Sequence, residues 1–169
     1  MSLEMTSLRD SITFRPETEE DREFIYRLYA TTRSAEMQMV PWTDEQKDQF
    51  CRQQSDAQRA HYAKAFEGAE YLVILRHGVP IGRLYLHTVD GDFRILDIAL
   101  LPEHRGSGIG GMLMRELMEK AAARNEIVSI HVEQYNPAMH LYQRLGFVPI
   151  EQYGVYLLME WRPEGRKPS

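Results

Sequence analysis

Apolar residues recur along the chain at two different periods, and the switches between them lay out its elements. Ser11–Arg15 alternates apolar and polar positions, the two-residue period of a strand, and Pro16 ends it. Thr18 followed by Glu19, Glu20 and Asp21 is a helix start, a capping threonine with acids in the first turn. Phe24, Ile25, Leu28 and Tyr29 then share one helical face, which predicts a helix to about Arg33. Pro41-Trp42 breaks the chain, and Thr43 with Asp44 and Glu45 starts a second helix to about Phe66. Its less polar stripe is Phe50, Ala57, Ala60 or His61, and Lys64. So weak a stripe predicts a helix that is either solvent-covered or lines a polar cleft.

The period then changes. Glu70–Arg76 is a short apolar run of strand formers, His77-Gly78 is a turn, and Val79–His87 is a second strand with Gly82 inside it. Asp90-Gly91-Asp92 is another turn and Phe93–Leu101 a third strand, giving a three-stranded meander with buried faces. A glycine-rich loop covers Pro102–Gly111. Gly108–Arg124 reads as a helix with Met112, Leu113, Leu117 and Ala121 on one side, and Glu126–Val132 as a strand. Pro137–Leu145 is a short helix closed by Gly146, and Phe147–Ile150 and Tyr153–Trp161 are the last strands. The order is strand, two helices, three strands, helix, strand, helix, two strands. It predicts an α/β (mixed α+β) fold with an antiparallel start and a parallel crossover.

At 169 residues the chain is long enough for one domain and a sizeable core. That domain is placed at residues 11–162. Residues 1–10 are expected to be a disordered or appended start, and 163–169 a polar tail. Hydrophobic residues make up 43% and charged residues 27%, the balance of a globular protein rather than a disordered one. The net charge of −5, with Lys and Arg scattered along the chain, speaks against nucleic acid or an anionic membrane as partner. No secretory leader or membrane-spanning run is recognisable. Cys51 is the one cysteine, without metal-ligand spacing around it, so no metal and a reducing, cytoplasmic setting are expected. As an acyl-carrying nucleophile Cys51 lacks a local base partner.

The chemistry concentrates at Arg105-Gly106-Ser107-Gly108-Ile109-Gly110, between a strand and a helix. Glycines there let backbone N–H groups turn toward a ligand, and a helix start adds free donors and the positive end of its dipole. Such a place binds phosphate, although a plain strand-to-helix turn has the same composition. The kinase-type phosphate loop needs Lys-Ser/Thr after its last glycine, and Gly111-Met112 follows here. The dinucleotide fingerprint is met literally by Gly106, Gly108 and Gly111, with Glu133 downstream. That fingerprint wants the glycines directly after the strand, and Pro102-Glu103-His104-Arg105 intervenes.

A third pattern fits better: a basic or amide residue, two residues of any kind, Gly, one of any kind, then Gly or Ala. With the preceding Leu96-Asp97-Ile98-Ala99-Leu100 it resembles the cofactor loop of the GNAT family of N-acetyltransferases. A second block, Asn136-Pro137-Ala138-Met139-His140-Leu141-Tyr142-Gln143-Arg144-Leu145-Gly146-Phe147, resembles that family's later motif of Asn, Ala, Leu-Tyr and Gly-Phe. Two blocks in order, separated by a helix and a strand, are far more specific than either alone. The likeness covers roughly Glu70–Trp161. It implies a single domain built on a mostly antiparallel mixed sheet of six to seven strands, flanked by about four helices.

It also implies a transferase that moves an acetyl group from acetyl-CoA to a primary amine by direct attack. Ile98, Ala99 and Leu100 would bind the pantetheine arm through their backbone. The N–H groups of Arg105, Gly106, Ser107, Gly108, Ile109 and Gly110 would hold the pyrophosphate. Asn136 would bind the cofactor arm or cap its own helix, and Tyr142 would be the general acid that protonates the departing sulfur. An N–H near Ala99–Leu100 would polarise the thioester carbonyl. A lysine-type amine is neutral only about one time in a few thousand at pH 7, so a base or a dry site is needed. Some relatives carry a glutamate early in the strand before the loop, where Arg94 stands here, which leaves Asp97, Glu133 and His131 as base candidates. The acceptor is expected against 31–66 and the final hairpin near Tyr153 and Tyr156, with Gln53, Gln54, His61 and Tyr62 as candidates. For assembly the resemblance implies a homodimer. A non-catalytic acyl-CoA-binding module and a dinucleotide-binding oxidoreductase are the alternatives.

Overall fold

The structure of the protein, a computed structural model, describes residues 12–164. The expected loose start at 1–10, Ser11 and most of the polar tail lie outside those residues. The chain forms a seven-stranded sheet in the order β1-β2-β3-β4-β5-β7-β6. The strands are β1 (Ile12–Pro16), β2 (Glu70–Arg76), β3 (Val79–Val89), β4 (Asp92–Leu100), β5 (Ile127–Glu133), β6 (Val148–Tyr153) and β7 (Tyr156–Trp161). The helices are α1 (Arg22–Thr32), α2 (Ser34–Gln38), α3 (Asp44–Ala65), α4 (Ile109–Ala123) and α5 (Met139–Arg144). The predicted order therefore stands, with the five-residue α2 added between the first two long helices. An Arg33–Glu36 ion pair of 3.0 Å spans that short turn.

Two hairpins confirm the turn chemistry. His77 and Gly78 have φ of 50° and 78°, and Asp90 and Gly91 have 52° and 80°. Positive φ at both central residues matches the right-handed twist of the flanking strands and fixes the β2–β3 and β3–β4 registers. One pairing is parallel: β4 runs beside β5 from Asp92↔Ile127 to Ile95↔Ile130. The ladder ends there, and Leu96 and Asp97 lie beyond it. β5 goes on pairing antiparallel with β7 as far as Glu133↔Tyr156.

The described residues group into two compact units. One comprises the chain up to Tyr85 with Ile98–Arg105, the other Leu86–Asp97 with the chain from Gly106 onward. In the first, α3 corrects the expected stripe. Its buried residues are Cys51 and Ser55, while Ala57, Ala60, His61 and Lys64 are exposed. Half-buried Gln58 and Tyr62 continue that face at helical spacing. The face is polar because its partners are polar: Gln58 Oε1 accepts from the buried Arg83 (2.9 Å), and Tyr62 stacks edge-on to Tyr85 at 6.0 Å. In the second unit, Leu113, Leu117 and Ala121 of α4 are fully buried beside Val128, Ile130 and Val132 of β5.

The capping acid Asp21 is 5% exposed. It takes both terminal nitrogens of Arg15 (2.7 Å each) and the Thr18 N–H (2.8 Å). The Arg15 hydrogen bonds, then the Thr18 N–H, hold its carboxyl below its ordinary value against the opposing effect of burial. A depressed folded pKa gives stability that is complete above the unfolded value near 3.8 and is lost as pH falls below it. Asp21→Asn is therefore expected to lower stability at neutral pH by about 1–3 kcal/mol and to flatten the acid limb of the melting temperature below pH 4. Melting curves from pH 7 to pH 3 check it.

Candidate active site

The loop after β4 gathers backbone donors at a helix start. A 3-10 turn over Pro102–His104 leads to Arg105 in extended conformation (φ −81°, ψ 154°). Gly106 (φ 72°) and Gly108 (φ 87°) are left-handed, and Gly108 caps α4. Ile109, 1% exposed, anchors the helix start in the core. The first helical bond runs from the Met112 N–H to Gly108 O (3.0 Å), so the N–H groups of Ile109, Gly110 and Gly111 precede it and need outside acceptors. A Cβ added at Gly106, Gly108 or Gly110 would meet nothing within 4 Å. The loop is a bare cradle of backbone donors at a dipole's positive end, which fits a pyrophosphate.

Arg105 does not join that cradle. Its N–H bonds Pro102 O (3.1 Å), its Nε bonds Leu100 O (2.9 Å) and a terminal nitrogen reaches Thr31 Oγ1 (3.2 Å). The resemblance places the Arg105 N–H on the pyrophosphate. In the structure it holds the end of β4 instead, and the donor run begins at Gly106. Ile98 and Ala99 are half-buried and Leu100 is buried.

Tyr142 lies on α5 and is 5% exposed. The spacing of the second block has a physical cause. Gly146 (φ 100°) closes α5, with its N–H on Gln143 O (3.1 Å) and the Phe147 N–H on Tyr142 O (3.0 Å). This pair of bonds is a Schellman motif, and it ties Phe147 to the turn that carries Tyr142. The two rings stand 6.0 Å apart. Burial, and then the charge of Asp97, pushes the Tyr142 hydroxyl up to about 12, so it stays protonated at neutral pH. Asn136 lies ahead of this helix, whose N-cap is Ala138 without a side-chain cap bond. Its Oδ1 accepts from the Ala138 N–H (2.9 Å) in a local turn, so the helix cap expected of Asn136 is not formed. A Cβ at Gly111 would lie 3.3 Å from the Arg115 side chain and 3.6 Å from that of Leu141. Gly146→Ala would force a left-handed alanine and is expected to cost about 1–2 kcal/mol, read as a lower melting temperature.

This architecture has known counterparts. The profile of the acetyltransferase (GNAT) family matches residues 18–147. A protein of Bacillus subtilis (strain 168), provisionally named a ribosomal protein bS18-alanine N-acetyltransferase, is 31% identical over 133 residues, covering 77% of this chain and 76% of that protein. The chain belongs to the GNAT acetyltransferase family. Among solved structures, the PaiA N-acetyltransferase from Thermoplasma acidophilum in complex with coenzyme A aligns with a TM-score of 0.66 at 18% identity, over 90% of this chain and 99% of that one. The ribosomal-protein-S18-alanine N-acetyltransferase from Escherichia coli aligns with a TM-score of 0.60 at 15% identity, over 92% and 96%. At those identities the fold is what is shared.

Membership makes this chain an acetyl-CoA-dependent N-acetyltransferase and removes the dinucleotide reading of Gly106, Gly108 and Gly111. In the GNAT chain the base candidates are spread out. Asp97 is half-buried within electrostatic reach of Tyr142. Glu133 is exposed at the end of β5 and accepts from Tyr156 (3.3 Å). His131, also exposed, faces Tyr153 with ring centres 6.0 Å apart. Arg94 is bound to Ser129 (3.0 Å) and Asp92 (3.2 Å), a structural cross-link between β4 and β5.

The acceptor candidates divide. Gln53, Gln54 and His61 are exposed on α3, and Tyr62 is half-buried. Gln53 lines an open cleft of about 270 Å³ with Trp42, Gln46, Gln49 and Phe50. Tyr153 and Tyr156 are about half exposed at the tip of the β6–β7 hairpin. Cys51 is buried and burial raises its thiol pKa, so it is an unreactive core residue. Among the described residues no helix is long and apolar enough to cross a membrane.

Proposed function

We propose that this acetyltransferase moves the acetyl group of acetyl-CoA directly onto the α-amine of a peptide or protein N-terminus. The observation that supports it best is the bare glycine cradle at the start of α4, together with a buried tyrosine on α5 whose hydroxyl stays protonated. Gly106–Gly110 take the pyrophosphate on their N–H groups, and the backbone of Ile98–Leu100 takes the pantetheine arm. The amine attacks the thioester carbon, the new C–N bond forms and the C–S bond breaks. The Leu100 N–H steadies the oxygen as charge develops on it. Tyr142 donates its hydroxyl hydrogen to the leaving sulfur, and the proton lost by the amine leaves through water, with Asp97 or Glu133 as acceptor.

Proton chemistry selects the acceptor class. An α-amine, with a pKa of about 7.7–8.0, is neutral about one time in ten at pH 7, against about one in a few thousand for a lysine side chain. Half-buried Asp97 and exposed Glu133 are the carboxylates at hand, and the far scarcer neutral form of a lysine asks much more of any base than an α-amine does. The bS18-alanine name of the Bacillus subtilis relative points the same way. A buried free thiol at Cys51 suits a reducing, cytoplasmic setting.

The test is a panel of initial rates with acetyl-CoA. Peptides with a free N-terminus are expected to exceed N-blocked lysine peptides and polyamines by at least about tenfold in kcat/KM, a gap that follows the neutral fractions above. Turnover confined to lysine side chains or polyamines would overturn the acceptor assignment and leave acetyl transfer standing.

A further inference from the structure

Gly82 sits in the middle of β3, where a glycine weakens a strand unless another backbone approaches closely. Here one does. A Cβ added to Gly82 would lie 2.2 Å from the carbonyl oxygen of Ala99, 2.9 Å from the Leu100 side chain and 3.2 Å from the Leu100 Cα. The Ala99 oxygen occupies the place where any other residue's side chain would begin. Just beyond the end of β4 the Leu101 N–H bonds Ile81 O (2.8 Å). Arg105 Nε holds the Leu100 carbonyl (2.9 Å) and is braced on Thr31 (3.2 Å). The Leu100 carbonyl is therefore held by Arg105, and the Ala99 carbonyl lies over Gly82.

This has a direct consequence for the Leu100 N–H. It shares one peptide group with the Ala99 carbonyl, and all peptide bonds described are trans. In a trans peptide the N–H points opposite to the C=O. With the oxygen laid onto β3 over Gly82, the N–H is aimed away from β3. We propose that Gly82 is a positioning residue: its missing side chain lets the Ala99–Leu100 peptide group turn, and that turn aims the Leu100 N–H at the thioester oxygen of acetyl-CoA. The inference rests on the acetyl-transfer reading above. It adds a residue with no place in either motif, and it makes carbonyl polarisation depend on β3.

The experiment compares wild type with Gly82→Ala. Four quantities are read: affinity for CoA, affinity for acetyl-CoA against its thioether analogue S-ethyl-CoA, kcat, and the infrared carbonyl stretch of bound carbonyl-labelled acetyl-CoA. The expected signature is specific. CoA affinity falls far less than kcat, because the glycine cradle is untouched and only the backbone under the pantetheine arm shifts, while kcat falls by about 10²–10³, the usual effect of losing one oxyanion donor. The variant also loses the wild-type preference for acetyl-CoA over the thioether and the lowered carbonyl frequency of the bound thioester. Equal losses in all affinities and in kcat would show a merely structural glycine and overturn the proposal, as would wild-type behaviour. Should Gly82→Ala not fold, replacing the Leu100 amide by an ester removes the N–H with Gly82 intact. Unchanged kcat in that protein would overturn the proposal, since nothing would remain for Gly82 to position. A wild type that neither binds nor turns over acetyl-CoA overturns the acetyl-transfer reading itself, a different result from a normal wild type beside an equally active Gly82→Ala.

Discussion

Replacing Tyr142 by Phe is expected to lower kcat by about 10²–10⁴, the range for a positioned acid, with CoA affinity nearly unchanged. The ring stays, and with it the packing beside Phe147 at 6.0 Å and the Schellman bonds, which use only backbone. What goes is one hydroxyl hydrogen. Losing it affects the step in which charge collects on sulfur, so the loss appears in kcat rather than in binding. A purely structural tyrosine predicts the reverse: turnover within about threefold and a stability loss of about 1 kcal/mol at most. The raised pKa adds a second readout. With the hydroxyl pushed up to about 12, Tyr142 stays protonated across the working range. The wild-type rate should rise as the acceptor amine deprotonates and then level off, with no fall attributable to Tyr142 before about pH 11. A pH–rate profile that turns down between pH 8 and 10 and is flat in Tyr142→Phe would assign the tyrosine a lower pKa and a different state.

Gly110→Val should separate binding from folding. Gly110 lies in the first turn of α4, its φ is not left-handed, and a Cβ there meets no protein atom within 4 Å. Glycine is also the poorest helix former after proline, so valine should leave the ligand-free protein as stable or a few tenths of a kcal/mol more so. The new methyl groups would project into the space over the helix start, where a phosphate has to approach the donors. At a CoA concentration 100 times Kd the wild type gains about 2.7 kcal/mol, and a hundredfold weaker variant under about 0.5 kcal/mol. An unshifted ligand-free melting temperature with the CoA-induced rise gone is the expected pair. Gly108→Val is a poorer probe, because φ of 87° there strains any side chain whether or not phosphate binds.

Much of this was legible where local chemistry decides local structure. The His77-Gly78 and Asp90-Gly91 turns, the Thr43 cap with its Gln46 partner (3.1 Å) and the Gly146 helix end are short-range signals, and they hold. The glycine cradle and the Tyr142 block were legible for the same reason: each is a run of neighbours whose spacing is itself the geometry. Legibility failed where long-range packing decides. The buried face of α3 carries Cys51, Ser55, Gln58 and Tyr62, which no hydrophobic period reveals, because Arg83 and Tyr85 supply polar and aromatic partners from β3. In the same unit Glu17 accepts from Tyr85 and pairs with Arg59 (3.2 Å), residues far apart in sequence. Arg105 looked like a phosphate ligand because it opens the loop motif, and its engagement with Leu100 and Thr31 depends on where α1 ends. Gly82 did carry a signal, a lone glycine inside a strand. What approaches it depends on the β3–β4 register, which the sequence pattern leaves open.

The most direct measurement is a single reaction followed two ways. The protein is incubated with acetyl-CoA and a peptide with a free N-terminus, while free CoA thiol is titrated and the peptide is examined by mass spectrometry. Thiol release is expected to match acetylated peptide one for one, with the acetyl group on the terminal nitrogen, and both should collapse together in Tyr142→Phe. CoA binding without thiol release across peptide, lysine and polyamine acceptors would contradict the account and leave a cofactor-binding module in place of an enzyme.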